Sequence, residues 1–316
     1  MPHTITSGDL LADRRYAYAQ GCLDDGDPDA ASEMAEQALE IAPRFAPAWF
    51  LLGRAREAQY GRTGREDDHR AALRAYASAL EIDPDDVQGA RLGLARIGDG
   101  TAASAISPGY VRALFDAYAP RFDRHLVDGL SYRGHERVAA ALDGPHPLGR
   151  VIDLGCGTGL VGAALGGRPE HLTGIDLSPG MLAQAERRGG YHRLVQGELV
   201  GVLAGEPPAS ADCVTAADVM IYVGDFSGVL AGTARVLRPG GRFAFTIQSH
   251  PGDGLILGAD ARYAHGEALV REAVAAAGLD LRSLEPVAVR RENGADVPGR
   301  VVVAEKPGGS RFRHGS

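Results

Sequence analysis

The segment VIDLGCGTGLVG, residues 151–162, is the most informative part of this 316-residue chain. An apolar run around Asp153 leads into Gly155, Gly157 and Gly159, and a segment of helical character follows. Glycines at a strand-to-helix turn let the backbone approach a ligand closely, and the first N–H groups of the helix point toward it. The segment therefore predicts a buried strand, a glycine-rich loop and a helix that together bind a ligand.

The loop is compatible with two kinds of nucleoside ligand. Gly157, Gly159 and Gly162 form the G-x-G-x-x-G pattern that binds nicotinamide dinucleotides. Asp153 favours the other kind, because a carboxylate beside the ligand repels a pyrophosphate and attracts an ammonium or sulfonium group. We therefore expect a cationic ligand, with a dinucleotide as the alternative.

Strand and helix signals alternate on both sides of the loop, which is typical of βαβ units and a parallel sheet. The predicted strands are GRVIDL (149–154), HLTGID (171–176), HRLVQG (192–197), ADCVTA (211–216) and GRFAFTI (241–247). Two further strand signals, LRSLEPVAVRR (281–291) and RVVVAEK (300–306), have only a turn between them at 292–299. We therefore expect the sheet to end in an antiparallel hairpin.

The N-terminal third contains an internal repeat. ALEIAP at 38–43 recurs as ALEIDP at 79–84, and W-x-x-L-G at 49–53 precedes Tyr76 at the spacing of the tetratricopeptide pattern. The offset of 41 residues exceeds the usual period of about 34. The polar stretch GRTGREDD at 61–68 predicts a lengthened loop between the two helices of this unit. A generic bundle of helical hairpins is the alternative.

The length suits two domains, since about 150 residues per domain is usual. We expect a helical repeat domain at 8–98 and a linker rich in small residues at 99–109. An α/β domain with an N-terminal helical cap should occupy 110–308, and a disordered tail should occupy 309–316.

Composition disfavours several classes of partner. The net charge of −8 leaves no excess of Lys and Arg for nucleic acid. No apolar run approaches the ~18 residues of a membrane span, and the first residues lack a basic, apolar leader, so we expect a cytoplasmic protein. Cys22, Cys156 and Cys213 are far apart, which predicts neither disulfides nor a metal site.

Two motifs carry a family resemblance: DLGCGTG at 153–159 and RPGG at 238–241 are characteristic of class I methyltransferases. With YVRALFDAYAPRF (110–122), ARYAH (261–265) and RRENGADVPG (290–299), essentially the whole chain resembles a predicted bacterial family of methyltransferases fused to tetratricopeptide repeats. The resemblance implies a Rossmann-like α/β sheet, parallel with a C-terminal antiparallel hairpin, behind an all-α repeat domain. It also implies S-adenosylmethionine as the cofactor.

The predicted cofactor residues follow the ends of successive strands. Asp176 stands where a ribose diol can donate two hydrogen bonds, and Ser178 is the better N-cap for the helix that begins near Pro179. Glu198 stands where the family usually has an Asp that accepts from the adenine amino group. The full predicted set is Asp153, Gly155, Cys156, Gly157, Thr158, Gly159, Asp176, Leu177, Met181, Gly197, Glu198, Leu199, Asp218 and Tyr118. Leu177, Met181 and Leu199 could equally be ordinary core residues.

Methyl transfer from a sulfonium relies mainly on positioning, and a base is needed only when the acceptor is protonated. His250 and His265 are the predicted bases, and Tyr263 and Tyr222 are predicted to orient the acceptor. The family tends to have Glu at the end of the fifth strand, whereas this chain has Gln248, so a role for Glu there does not carry over.

Two further points stay open at the level of sequence. The pair Arg290–Arg291 is either a solvated hairpin edge or a gate for an acidic acceptor. The methyl acceptor is expected to be a small metabolite or natural product, with the repeats serving self-association. The alternatives are a peptide or protein held by the repeats, and an interaction scaffold with a non-catalytic domain, which the intact loop disfavours.

Overall fold

The computed structural model describes residues 6–124, 132–142, 147–292 and 294–308. They fall in two compact units, Met1–Ala113 and Leu114–Ser316. The boundary lies inside a helix, Pro108–Tyr118, rather than in the predicted linker, which itself contains a short 3-10 helix at Ala102–Ser104. The predicted tail at 309–316 lies outside the described residues.

The first unit is helical. Its helices are α1 (Leu10–Asp24), α2 (Pro28–Ile41), α3 (Ala46–Thr63), α4 (Glu66–Ile82), α5 (Ala90–Arg96) and the first part of α6 (Pro108–Tyr118). Asp9 and Asp27 cap α1 and α2 with their side chains. Successive helices pack as hairpins, α1 on α2 and α3 on α4, as the repeat pattern predicts.

One tyrosine explains why glycine occupies positions 53 and 93 of the repeat region. The ring of Tyr76, in α4, is fully buried between two glycines. A Cβ atom on Gly53 would lie 2.6 Å from this ring, and one on Gly93 would lie 2.5 Å from it. The small residues therefore let neighbouring helices close around one aromatic side chain.

The prediction of a long loop at 61–68 is wrong. Helix α3 continues to Thr63 and α4 begins at Glu66, so only Gly64 and Arg65 separate them. Gly64 has φ of 68° and ends α3 in the left-handed conformation. The extra residues of this repeat lengthen its two helices instead.

The second unit is an α/β sheet, which confirms the predicted fold class. In chain order it contains α7 (Gly134–Ala141), β1 (Gly149–Leu154), α8 (Leu160–Leu165), β2 (Pro169–Asp176), α9 (Pro179–Arg188), β3 (Arg193–Gln196), α10 (Leu199–Gly205), β4 (Ala211–Ala216), α11 (Ser227–Val236), β5 (Leu237–Ser249), β6 (Leu255–Leu257), β7 (Tyr263–His265), α12 (Glu267–Ala276), β8 (Asp280–Glu292) and β9 (Ala295–Glu305). The strand order is β3-β2-β1-β4-β5-β7-β6, and β9 pairs with both β5 and β8.

The pairing directions follow the sequence pattern with two differences. Strands β1 to β5 are parallel, and β8 and β9 form the predicted antiparallel hairpin. The short antiparallel pair of β6 and β7 was not foreseen. Strand β5 begins earlier than the predicted 241–247, so the motif at 238–241 lies within it, at a register shift where Gly240 has φ of 79°.

Apolar layers cover both faces of the sheet. Leu203 of α10, Leu230 of α11 and Val270 of α12 are buried on one face. Val138 of α7 and Val161 of α8 are buried on the other. From β1 the chain continues to β2 and β3 on one side of the sheet, and β4 and β5 then lie on the other side of β1. The strand order thus reverses between β1 and β4, and the carboxyl ends of these two strands border the crevice where such sheets bind ligands. None of the helices in the described residues is long and apolar enough to cross a membrane.

Candidate active site

The glycine-rich loop connects β1 to α8 at this crevice. Gly155, Gly157 and Gly159 have φ values of 60°, 54° and 89°, in the left-handed region that favours glycine. A Cβ atom on Gly155 would lie 2.5 Å from Cγ2 of Val219, whereas one on Gly157 would meet no atom within 4 Å. Gly155 is thus required for packing, and Gly157 presents its backbone to open space.

Asp176, at the end of β2, holds the loop in place. Its Oδ2 accepts a hydrogen bond from the N–H of Gly157 at 2.9 Å, and its Oδ1 accepts from the N–H of Ser178 at 2.9 Å. Burial raises the pKa of this carboxyl. Ser178 caps α9 through its Oγ, which accepts from the N–H of Met181 at 3.0 Å, as predicted.

Asp153 is more deeply buried than we expected. Its side chain has no solvent exposure, and its two oxygens accept from the hydroxyls of Thr215 and Tyr191, each at 2.6 Å. Burial raises its pKa to about 7. The expectation that Asp153 lies directly beside a ligand is therefore corrected: its side chain is fully buried, and both carboxylate oxygens are already bound by Thr215 and Tyr191.

Tyr191 was not singled out from the sequence, although it organises this part of the site. Cβ atoms on Gly162 and Gly174 would each lie 2.7 Å from its ring. Its hydroxyl accepts from the N–H of Gly162 at 3.3 Å and donates to Asp153. The third glycine of the G-x-G-x-x-G pattern thus makes room for a tyrosine, and this accounts for it without a dinucleotide.

The helical cap is fastened to the loop by polar contacts. Thr158, predicted to contact the cofactor, donates its hydroxyl hydrogen bond to Asp123. Arg188 of α9 pairs with Asp123 and donates from Nε to the carbonyl of Thr158 at 2.7 Å. Asp116 of α6 accepts from the N–H of Gly180 at 3.1 Å. These acidic cap residues and Arg188 are site residues that the sequence analysis missed, because no local motif marks them.

The predicted adenine residues follow β2 and β3. Glu198 is exposed and caps α10, and its Oε2 accepts from the N–H of Gly201 at 2.9 Å. The N–H of Gly197 donates to the carbonyl of Asp176 at 3.0 Å. Three apolar residues were expected either to contact the adenine or to belong to the core. Met181 and Leu199 are buried, and Leu177 is half-buried.

Cys156 is a structural residue of the loop. Its side chain is buried, and burial raises the pKa of its thiol. Its N–H donates to the carbonyl of Ile175 at 2.9 Å, which ties the loop to β2.

His250 does not have the free nitrogen that a base requires. Its Nδ1 accepts from the N–H of Gly252 at 3.0 Å, so its Nε2 carries the proton and donates to the carbonyl of Gly254 at 2.8 Å. Both ring nitrogens are occupied in shaping the loop after β5. The prediction of His250 as the catalytic base is therefore corrected.

His265 and Tyr263 are too deeply buried to contact an acceptor, since both have no solvent exposure. They lie in β7. Burial lowers the pKa of His265 to about 4. Their predicted catalytic roles are corrected accordingly.

Tyr118 and Tyr222 belong to one aromatic cluster, which we define as Phe115, Tyr118, Phe122 and Tyr222. Ring centroids of Phe115 and Tyr222 are 5.3 Å apart, and those of Tyr118 and Phe122 are also 5.3 Å apart. All four side chains are half-buried. The cluster joins the helical cap to the segment that follows β4.

The two arginines at 290 and 291 have opposite environments. Arg291 is exposed, whereas the side chain of Arg290 is only 1% exposed. Arg290 donates from Nε to Glu292 at 2.7 Å and from Nη2 to Gln248 at 2.8 Å. Gln248 therefore has a defined structural partner, and only Arg291 fits the interpretation of a solvated hairpin edge.

Comparison with known proteins agrees with this geometry. Residues 152–245 match the family model described as a methyltransferase domain, and residues 12–55 match a tetratricopeptide repeat. The putative methyltransferase of Haloferax volcanii, solved with its Trm112 activator, superposes with a TM-score of 0.51 at 22% identity, over 61% of this chain and 97% of that one. The [4+2]-cyclase SpnF superposes with a TM-score of 0.50 at 20% identity, over 63% and 96%. These two structures establish the fold alone.

Curated relatives match part of this chain. The demethylmenaquinone methyltransferase of Tropheryma whipplei (strain Twist) is 32% identical over 143 residues, which are 45% of this chain and 60% of that protein. The ubiquinone biosynthesis O-methyltransferase of Paracidovorax citrulli is 36% identical over 115 residues, which are 33% and 47%. The chain thus spans less than two thirds of the length of these relatives.

Proposed function

We propose that this chain is an S-adenosylmethionine-dependent methyltransferase, whose residues 152–245 match the methyltransferase-domain model and follow the tetratricopeptide repeats in the sequence. The observation that carries the proposal is the pairing of Gly157 and Asp176 at the crevice. The loop offers backbone to open space at Gly157, and the acidic group at the end of β2 fixes that backbone. A nucleoside ligand needs both features.

The residues present fit S-adenosylmethionine. Asp176 uses one lone pair on each oxygen for the backbone and keeps others for a ribose diol. Glu198 is exposed beside β3, where it would accept from an adenine amino group. In its ionised form Asp153 adds negative charge near the loop, which favours a sulfonium over a pyrophosphate. The bound cofactor would supply an activated methyl group for in-line displacement.

The protein's own contribution is positioning. The contacts of Asp116, Asp123 and Arg188 fasten the cap to the loop, and this would reduce the reorganisation that cofactor binding requires. The half-buried aromatic cluster provides flat apolar surface beside the crevice. We propose a small metabolite or natural product as the acceptor, in line with the curated relatives named demethylmenaquinone methyltransferase and ubiquinone biosynthesis O-methyltransferase.

A peptide or protein acceptor is the second candidate. Its support is the repeat region and the outer surface of α1, where Leu11 and Tyr18 are 51% and 62% exposed at a spacing of seven residues. Such a stripe suits either a partner helix or a second copy of the chain.

Incubation with methyl-labelled S-adenosylmethionine and a bacterial lysate separates these candidates. The lysate is divided by size, and label is counted in the protein and small-molecule fractions. Label in small molecules supports the first proposal, and label in protein supports the second. A chain that binds the cofactor and transfers label to neither fraction contradicts the enzymatic function.

A further inference from the structure

A buried ion network lies at the carboxyl ends of β4 and β5. Its centre is Arg290, which hydrogen-bonds Glu292 and Gln248 through two of its three nitrogens. The third nitrogen, Nη1, is buried and has no hydrogen-bond partner among the described residues. Since an unpaired buried donor is unfavourable, this nitrogen indicates a role beyond packing.

The carboxylate of Asp218 lies near this nitrogen, with Oδ2 3.9 Å from Nη1. Thr246 binds the other carboxylate oxygen of Asp218. Its hydroxyl donates to Oδ1 at 3.0 Å and accepts from the backbone N–H of Asp218 at 2.7 Å. Among the described residues, no group donates a hydrogen bond to Oδ2. One carboxylate oxygen is thus fixed, and the other is left for a ligand.

Asp218 also has an unusual backbone. Its φ of 56° lies in the left-handed region, where a residue other than glycine is strained. Strain of this kind persists where the surroundings hold it and is concentrated at active sites. The side chain is 16% exposed and directly follows β4, which borders the ligand crevice. Asp218 therefore combines access with a rigid position.

We propose, resting on the methyltransferase function above, that Asp218 takes the proton from an aromatic hydroxyl acceptor and that Arg290 is its positioning residue. This places Asp218 on the acceptor side of the crevice, instead of among the cofactor residues. The acceptor hydroxyl donates to Oδ2, and a small rotation of the carboxylate brings Oδ2 within hydrogen-bond reach of Nη1. The unpaired donor thereby gains its partner when the acceptor binds.

The transfer step balances without any further reagent. The acceptor oxygen forms a bond to the methyl carbon while the carbon–sulfur bond breaks, and that electron pair stays on sulfur. The sulfonium becomes a neutral thioether. The hydroxyl proton passes to Asp218 and from there to solvent. A hydroxyl needs such a base, whereas a carboxylate acceptor, already ionised at neutral pH, does not.

The aromatic cluster indicates the shape of the acceptor. The hydroxyl of Tyr222 accepts from Nε of Arg262 at 3.4 Å, and Arg262 pairs with Glu292, which also binds Arg290. Flat ring surface and the free oxygen of Asp218 therefore belong to one connected set of contacts. A planar ring bearing a hydroxyl complements both, because rings stack on aromatic side chains and the hydroxyl reaches the carboxylate.

The charges around Asp218 predict how the methylation rate depends on pH. Burial raises its pKa, while Arg290 and Arg262 lower it and Glu292 raises it. The buried phenol of Tyr132, which precedes α7, also faces this carboxyl. Loss of the Arg290 charge is therefore expected to raise the pKa of Asp218 further.

The test uses the full chain, labelled S-adenosylmethionine, and a panel of simple phenols, catechols and hydroxyquinones. We expect a base-stable methyl ether. Asp218→Asn should lower the rate by about 10²- to 10⁴-fold, the usual contribution of a general base, with unchanged affinity for S-adenosylhomocysteine. The control Asp296→Asn removes a carboxylate that is 67% exposed on the same unit and should retain the rate.

Matched arginine variants test the positioning role. Arg290→Gln should move the acidic limb of the rate profile to higher pH, and Arg290→Lys should restore part of the rate. Arg291→Gln, at a side chain that is 58% exposed, should leave the profile unchanged. The lysine variant keeps the test decisive if the glutamine variant does not fold.

Several results would overturn the proposal: a wild-type rate in Asp218→Asn, a base-labile methyl ester as product, or no methylation of any probe by cofactor-bound enzyme. Failure of the wild-type chain to bind S-adenosylhomocysteine would instead refute the methyltransferase function itself.

Discussion

Replacement of Gly157 by alanine should separate ligand binding from folding at the glycine-rich loop. The φ of 54° at this position costs an alanine about 1 to 2 kcal/mol relative to glycine. The new methyl group would meet no atom within 4 Å, so no steric term is added. The reduced freedom of the unfolded chain offsets about 0.4 to 1 kcal/mol. We therefore expect a loss of about 1 kcal/mol in the free energy of unfolding.

The effect on the cofactor should be larger than this small loss of stability. The methyl group projects into the space where the ligand must approach the backbone, so affinity should fall at least about tenfold, or about 1.4 kcal/mol. Titration calorimetry with S-adenosylhomocysteine measures the affinity, and urea denaturation measures the stability.

Gly240→Ala is the matched control. Gly240 has φ of 79° and equally open surroundings, but it lies near the start of β5, at the opposite edge of the sheet. It should lose similar stability and retain full affinity. If Gly157→Ala binds S-adenosylhomocysteine as tightly as the wild type, the ligand does not lie against the loop and our reasoning about the crevice is wrong.

Three further perturbations test the site, the buried histidine and the repeats. Asp176→Ala should weaken S-adenosylhomocysteine binding by about 1.5 to 3 kcal/mol in calorimetry, because a charge-assisted acceptor is lost; unchanged affinity in folded protein would remove this residue from the ribose. For His265, the folded-state pKa of about 4 lies below the unfolded value of 6.5, so stability should fall as the pH decreases from about 6.5 toward 4. In urea denaturation His265→Asn should reduce that pH dependence, and an unaltered slope would contradict the burial argument. Gly53→Ala should destabilise the protein by about 1 to 3 kcal/mol, because the added Cβ would lie 2.6 Å from the ring of Tyr76. Cofactor affinity should stay unchanged, and a variant as stable as the wild type would disprove the tight packing.

The sheet could be predicted from sequence because its signals are local. Each parallel strand is an apolar run followed by turn residues, and the hairpin of β8 and β9 lacks a helix between its strands. The β6–β7 pair escaped prediction because each strand has only three residues and carries no clear alternation. The loop expected at 61–68 was wrong because polar residues also suit exposed helix surfaces.

Site residues were predictable where a motif fixes the backbone and not where distant segments meet. Gly157 lies in the glycine-rich motif that follows β1, and Asp176 is the last residue of the apolar run that forms β2. Tyr191 acts through a partner 38 residues away, so no local pattern reveals it. The pair Arg290–Arg291 was visible in the sequence, but its interpretation stayed open because Arg290 binds a partner 42 residues away. His250 and His265 illustrate the converse error: a suitable residue type after a strand says nothing about whether its nitrogens are already occupied or buried.

Calorimetry on the wild-type chain with S-adenosylmethionine, S-adenosylhomocysteine and NADH provides the decisive test. We predict micromolar affinity for S-adenosylmethionine and its demethylated product, roughly −8 kcal/mol, and no measurable binding of NADH. Tight NADH binding without any binding of S-adenosylmethionine would contradict the assignment of the crevice to a sulfonium cofactor.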